Sequence, residues 1–204
     1  MTGLCPRAAA CALMLFVVSG SPAWAGAPTE ALRHSFDRIF ALLDDPAFKG
    51  GDRAVERQRE LFALADSAVD FSEAARRTLG ATWDRRTPAE RAHFVRLFAD
   101  LIAHAYLKLI PHHGVRIAYD EEIWTGKDVI VRARTFGKTG DATPVSFAMR
   151  EGGDGQWRVF DVSFAGMSLV GTYHAQFMRV IRTGSYEELV NRLVEKTSTE
   201  RGAP

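Results

Sequence analysis

Cysteine is scarce in this chain, and its position restricts the chemistry. The 204 residues include two cysteines, Cys5 and Cys11, and both lie among the first 25 residues. Everything after residue 25 therefore lacks a disulfide, a thiolate ligand for a metal and a cysteine nucleophile. The core of such a domain has to be held by apolar packing and hydrogen bonds.

A surplus of charge of one sign is also lacking. Lysine and arginine together number 26, and aspartate and glutamate number 25. Domains that bind nucleic acid usually carry a clear basic surplus. We therefore expect no nucleic-acid partner and no strong electrostatic attraction to an anionic membrane.

Long apolar runs are missing as well. The run at residues 8–18 is shorter than the roughly 20 residues that a membrane-spanning helix needs. It follows Arg7 and leads to Ala23-Trp24-Ala25, and this combination is typical of a secretory signal peptide. The sequence predicts a signal peptide over residues 1–25, cleaved after Ala25, then one domain over 26–196 and a polar tail over 197–204. The sequence thus predicts export of the protein.

Helical spacing dominates the two ends of this predicted domain. Thr87 and Glu90 form a capping box with Pro88 at the first helical position. An apolar stripe follows at spacings of three and four, and a second stripe lies near the end of the chain. The first stripe includes Phe94, Leu97, Phe98 and Leu101, and the second includes Tyr173 and Phe177.

Between these helices the apolar period changes to two. Strands are predicted at residues 115–119, 128–136, 143–151 and 156–164, separated by short glycine-containing turns. Such short connections indicate antiparallel neighbours. The fourth strand is apolar on both faces, so we expect it at the centre of the sheet. The fold class predicted is α+β, with a curved four-stranded antiparallel sheet wrapped by N- and C-terminal helices.

The sequence carries no strong catalytic or metal-binding motif. It has no His-Glu-x-x-His pattern, phosphate-binding glycine loop or Gly-x-Ser-x-Gly elbow. The adjacent His112 and His113 point apart on a regular element and form no simple chelate. A Ser163–His174–Asp161 grouping stays open as an arrangement that folding would have to assemble. We predict no catalytic residues, no metal and no cofactor.

Two stretches resemble the MlaC, or toluene-tolerance, family. The first runs over residues 69–80 and continues with Trp83 and 87–94, and the second covers 157–162, 166–170 and 173–177. The order of signal peptide, helices, four strands and closing helices is similar too. The resemblance implies a periplasmic lipid carrier rather than an enzyme, with phospholipid as cargo. It further implies two partners, the substrate-binding component of an inner-membrane ABC transporter and an outer-membrane lipoprotein complex.

The resemblance also implies an apolar pocket between helices and sheet that holds the acyl tails. The expected lining consists of apolar residues from the first stripe, the sheet and the closing helix. These are Phe94, Leu97, Phe98, Leu101, Val129, Val131, Val145, Phe147, Met149, Val162, Phe164, Tyr173 and Phe177. One departure concerns Thr172-Tyr173-His174, which stands where the family typically has Asn-Tyr-Arg and so removes a permanent cation.

Three alternatives remain open from the sequence. The cargo of a hopanoid-associated branch of the same family would use a similar pocket. A curved sheet wrapped by helices also builds small enzymes for apolar substrates, for which Asp161 or Tyr106 would be the acid or base. A periplasmic adaptor that binds only proteins would instead have a closed core.

Overall fold

A computed structural model describes residues 26–48, 53–106, 116–137 and 140–202, with side chains as far as residue 198. The predicted signal peptide, His112 and His113 lie outside the described residues, and so does the side chain of Tyr106. Helices α1 to α5 precede the sheet, and α6 and α7 follow it. Their bounds are Ala27–Asp44, Ala54–Ala68, Phe71–Leu79, Ala81–Asp84 and Pro88–Tyr106, then Leu169–Thr183 and Tyr186–Gly202.

Within the described residues, five antiparallel strands form one sheet in the order of the chain. Their bounds are Arg116–Thr125 for β1, Asp128–Phe136 for β2, Ala142–Glu151 for β3, Trp157–Phe164 for β4 and Met167–Ser168 for β5. The predicted α+β class and antiparallel sheet are confirmed, and β5 is an additional strand. It is only two residues long, which is why periodicity does not reveal it.

Strand β1 continues well beyond its predicted end at Tyr119. The acidic run that follows suggests a break, but the pairing with β2 resumes after a bulge between Tyr119 and Glu121. Asp120 then binds Arg134 and Glu121 binds Arg132, with closest N–O distances of 2.6 and 2.8 Å. Cross-strand ion pairs therefore accommodate the acidic residues at the exposed face of the sheet.

The sheet is strongly curved. Trp124 at the end of β1 and Trp157 at the start of β4 meet edge to face with ring centroids 5.4 Å apart. In a flat sheet, strands separated by two others lie about 14 Å apart. Helix α1 occupies the resulting concave face, where Leu32 is buried and Phe36 packs on Phe147.

Side-chain caps fix several helix starts. Asp70 accepts a hydrogen bond from the Glu73 amide at the start of α3, and Thr87 and Glu90 exchange both bonds of the predicted capping box. Ser185 accepts from the Glu188 amide in the same way at the start of α7. Helix α7 then continues to Gly202 through the region predicted as a polar tail, and the Thr197 side chain is buried in it.

A ring of charges joins α3 to the sheet. Glu73 of α3 binds Arg77 and Arg150 with N–O distances of 2.8 and 2.9 Å, and Asp128 binds the same two arginines at 2.7 and 2.6 Å. Arg150 and Asp128 are register partners on β3 and β2. The Arg77 guanidinium also lies 3.8 Å from the centre of the Phe160 ring on β4. One helix is thus attached to three strands.

Glu73 is the most buried carboxylate of this ring, which we call the ionic ring. Burial opposes its ionisation, but hydrogen bonds from Arg76 and Arg77 and the nearby charge of Arg150 prevail. They lower the pKa of Glu73 from an ordinary 4.5 to about 2. Because the folded-state pKa lies below the unfolded one, this contribution to stability is complete above about pH 4.5 and is lost as pH falls towards 2.

We expect Glu73→Gln to lower the free energy of unfolding at pH 7 by about 1–2 kcal/mol, since three arginines lose the anion that they hydrogen-bond. The difference between variant and wild type should shrink between pH 5 and pH 3, as urea denaturation at each pH will measure. Glu30→Gln is the control, because Glu30 forms an exposed ion pair with Arg33 and should change little at either pH. A constant difference over this pH range would contradict the proposed role of the carboxylate.

Candidate functional site

The predicted pocket residues belong to two separate apolar clusters. The helical cluster, formed by α3, α5, α6 and α7, contains Phe94, Leu97, Phe98, Leu101, Tyr173 and Phe177. The sheet cluster contains Val129, Val131, Val145, Phe147 and Met149, with Val162 packed at its margin. All but one of the predicted residues are thus in an apolar cluster, and the helix members and the sheet members lie in different clusters. Phe164 differs from the rest because 48% of it is exposed.

An aromatic group fills the helical cluster. Phe98 packs edge to face on Tyr173 and Phe177, with ring centroids 5.6 and 6.0 Å apart, and Phe94 packs on Phe177 in the same manner at 5.8 Å. Helix α5 packs on α3 and α7, so its stripe contacts other helices rather than the concave face of the sheet. Edge-to-face rings pack densely, which makes this cluster a filled core.

A small cavity lies at the seam between the two clusters. Its volume is about 70 Å³. Its lining is apolar except for Asp161, and it comes from the start of α3, from α5, from β4 and from the start of α6. The lining residues are Val69, Phe71, Ala74, Phe98, Ile102, Val159, Phe160, Asp161, Val162, Leu169 and Val170.

The cavity follows the edge of β4. Four consecutive residues of this strand, 159–162, line it, and consecutive strand residues point to opposite faces. Strand β4 pairs fully with β3 on one edge, whereas its other edge is shared between two short partners. Val69 bridges to Val159, with the Asp70 amide donating to the Val159 carbonyl at 2.8 Å, and β5 pairs with Ser163 and Phe164. The cavity lies on the stretch of β4 between these two partners, where α3, α5 and α6 approach the strand.

Strand β4 is covered on both faces, as predicted, but its position was not predicted correctly. Val159 is buried in the sheet cluster, and Phe160 is buried against Arg77. These adjacent residues point to opposite faces of the strand, and a bulge in the pairing with β3 falls at Phe160. The strand lies next to the two-residue β5 rather than at the centre of the sheet, because an apolar strand can also be covered by helices at its edge.

Asp161 is the polar group of the cavity, and its hydrogen bonds are structural. Its carboxylate accepts from the Ser168 hydroxyl at 2.5 Å and from the Val170 amide at 2.9 Å. Ser168 in turn accepts from the Gly171 amide at 2.8 Å and caps α6. Asp161 therefore fixes the start of α6 beside β4, and its two oxygens have these partners rather than a histidine.

His174 and Thr172 also form hydrogen bonds with the backbone of the fold. The Nδ1 atom of His174 lies 3.0 Å from the Thr78 carbonyl of α3, and the Thr172 hydroxyl donates to the Ser168 carbonyl at 2.7 Å. The His174 ring also approaches Gly80, whose φ of 50° favours glycine. In a Ser163–His174–Asp161 arrangement, His174 would bond Asp161 and Ser163. In the structure, the hydrogen bonds of Asp161 and His174 go to other groups.

The described residues show neither a metal-ligand cluster nor a helix suited to span a membrane. In that part of the chain, no three His, Cys, Asp or Glu side chains are grouped so that they could hold a metal ion. None of the helices there is long and apolar enough to cross a membrane.

Of the predicted lining residues, Phe98 and Val162 border the cavity. Most of the cavity residues that were not predicted lie at the two element junctions, 69–74 and 169–170. A useful signal was present, because both junctions fall within the stretches that carry the family resemblance. Periodicity alone selects the centres of apolar faces and misses residues at the margin between two packed faces.

Comparison with known families adds the decisive observation. The sequence profile described as MlaC protein matches residues 33–195, which is most of the chain. The chain belongs to the MlaC family. The resemblance noted in the sequence is thereby confirmed. No protein of curated function matches the sequence significantly.

A solved MlaC-like structure has the same fold. It is the phospholipid-binding protein from Ralstonia solanacearum in complex with a phospholipid, and it superposes with a TM-score of 0.73. The two chains are 24% identical over 87% of this chain and 99% of the other. At this level of identity the likeness shows a common fold.

The size of the cavity restricts what it can contain in this conformation. Sites for small organic ligands usually measure about 300–1,000 Å³. The cavity at the seam, at about 70 Å³, is well below this range. A ligand with a long apolar chain therefore fits in this cavity only if the two clusters separate along the seam.

We expect Asp161→Ala to destabilise the protein by about 1–3 kcal/mol, because the Val170 amide and Ser168 hydroxyl lose their acceptor. Asp161→Asn keeps one acceptor oxygen and should cost less. Thermal or urea denaturation of both variants measures this. Equal losses in the two variants would contradict the capping role, since they would indicate that the negative charge alone matters.

Proposed function

We propose that this MlaC-family protein is a periplasmic carrier that holds the acyl tails of a phospholipid at the seam between its two apolar clusters. The observation that carries the proposal is an apolar cavity along the edge of β4, in a fold whose solved relative contains a phospholipid. The lining mixes residues of both clusters, so movement of either cluster changes the volume between them.

The energetics of lipid transfer favour a site of this composition. Burying one CH₂ group contributes about 0.8 kcal/mol, so one 16-carbon tail amounts to roughly 13 kcal/mol. Polar contacts to a headgroup could not offset the exposure of such a tail to water. A lining with one charged residue, itself engaged by Ser168 and Val170, is consistent with a site for tails rather than for headgroups.

The way in which the cavity would enlarge follows from the composition of the two clusters. Each cluster has its own buried aromatic or aliphatic centre, so the two can move apart without opening either core. In this proposal Phe98 and Val162 contact the tails first. The predicted residues behind them, among them Phe94, Phe147 and Phe177, support the walls and reach the lipid only as the seam widens.

The cellular role rests on the family. We propose that the carrier works in the periplasm and exchanges lipid with the inner-membrane ABC transporter component and the outer-membrane lipoprotein complex. A carrier rather than an enzyme is supported by Asp161, whose hydrogen bonds hold α6 in place.

The direct test is native mass spectrometry of the protein purified from its own periplasm, followed by lipid extraction. A one-to-one adduct with the mass of a phospholipid would support the carrier and identify the headgroup. An adduct with the mass of a hopanoid would keep the site but change the cargo. A bare mass that stays unchanged after incubation with phospholipid vesicles would refute the proposal and favour a protein-binding adaptor.

A substitution in the cavity should reduce lipid binding without unfolding the chain. Leu169 lines the cavity at the first position of α6, where an acidic residue is compatible with the helix dipole. We expect Leu169→Asp to lower lipid occupancy several-fold, because a carboxylate would be placed against the tails. Val194→Asp is the matched control on α7, where the valine is partly exposed and outside the cavity lining. Equal occupancy in both variants, with native circular dichroism spectra, would argue against this cavity as the site.

A further inference from the structure

The turn between β4 and β5 exposes apolar side chains beside the cavity. Phe164 and Met167 are paired across this turn and are 48% and 71% exposed. Ala165 and Gly166 connect them, so the tip contains no polar side chain. We call these four residues, 164–167, the apolar tip. The residues on either side, Asp161 and Val162 before it and Leu169 and Val170 after it, line the cavity.

The turn is apolar although its backbone favours other residues. Ala165 and Gly166 have φ values of 48° and 83°, and Ala165 is the one residue other than glycine with positive φ in the described part of the chain. Two-residue hairpin turns with positive φ at both positions favour Asn, Asp or Gly at the first position. Alanine there is strained relative to asparagine. The tip is therefore not explained by turn geometry.

The segment that carries the tip is uncharged. Residues 162–178 contain no Asp, Glu, Lys or Arg, although a quarter of the whole chain is charged. The neighbouring end of β3, residues 142–144, is exposed and also uncharged, and the Ala165 amide donates to the Pro144 carbonyl there at 3.0 Å. A surface without charges gives no electrostatic attraction to a charged partner, whereas it avoids the cost of placing charges near hydrocarbon.

We propose that the apolar tip inserts into the surface of a phospholipid bilayer and places the adjacent cavity next to the acyl chains. This inference deepens the proposed carrier function and rests on it. A protein interface usually buries about 800 Å² on each partner, which is far more than a four-residue turn provides. Two side chains suffice for a weak and reversible attachment to a membrane. Reversibility suits a carrier that has to leave again.

The test compares the double variant Phe164→Ser, Met167→Ser with the control Val55→Ser. Val55 lies on α2 and is 75% exposed, so the control removes an exposed apolar side chain away from the tip. The rate at which each purified protein extracts labelled phosphatidylcholine from phosphatidylcholine vesicles is measured. We expect the double variant to be about tenfold slower and the control to match wild type, because weak membrane attachment depends on a few apolar groups. Equal rates in all three proteins would overturn the proposal.

Salt dependence provides a second test. Extraction by the wild type from these zwitterionic vesicles should be unchanged between about 0.01 and 0.5 M salt, since screening acts only on charges. A steep decrease with salt would overturn the proposal in favour of an electrostatic contact elsewhere on the protein.

The variant Ala165→Asn separates attachment from stability. Asparagine relieves the backbone strain of the turn, so the melting temperature should rise, while its polar side chain should slow extraction. A rise in melting temperature with an unchanged extraction rate would overturn the role of the tip.

Failure of the carrier function itself is distinguishable. If the wild type neither retains nor takes up phospholipid, the proposed function fails, and flotation with phosphatidylcholine vesicles still tests the tip. Flotation of the wild type but not of the double variant would support the tip even then. Equal flotation of both proteins would overturn it.

Discussion

The second edge of β4 is the constraint on which the arrangement depends. A strand with both edges fully paired would leave no room for a cavity, and a strand with an open edge would expose unpaired backbone groups. Here Val69 occupies one end of the edge and β5 the other, while helices approach the part between them. The outer edge of β4 is therefore covered at both ends, and the cavity lies between these two short partners.

The contacts across this boundary include several polar ones, whereas each cluster is held together by apolar packing. The ionic ring, the Asp161 carboxylate and the Asp70 amide connect α3 and α6 to the strands. Directional contacts of this kind fix how the two clusters are placed relative to each other, while each cluster keeps its own core. Movement at the seam then costs a limited set of hydrogen bonds rather than the packing of either cluster.

Much of the fold can be predicted from the sequence, but the shape of the site cannot. Local period and turn chemistry predict the bounds of β2 and the capping box at Thr87, and the structure has both. The helical period also predicts the burial of Phe94, Phe98 and Phe177, which are buried. The division of these apolar faces between two clusters depends on tertiary packing, because α1 rather than α5 covers the concave face of the sheet. Asp161 and Ser168 illustrate the same limit: their bond joins two elements, and no local pattern indicates it.

The family resemblance would place an arginine at position 174, and His174 has a structural contact there instead. His174 bonds the Thr78 carbonyl near the end of α3 and packs on Gly80, while Thr172 bonds the carbonyl of Ser168. Both residues therefore reinforce the helix that begins at the cavity, and the cation that the family usually has here is not required for this contact. With histidine at position 174, residues 162–178 contain no Asp, Glu, Lys or Arg. A hairpin and helix start without such charges can approach a lipid surface more closely, since no ion has to be desolvated on contact.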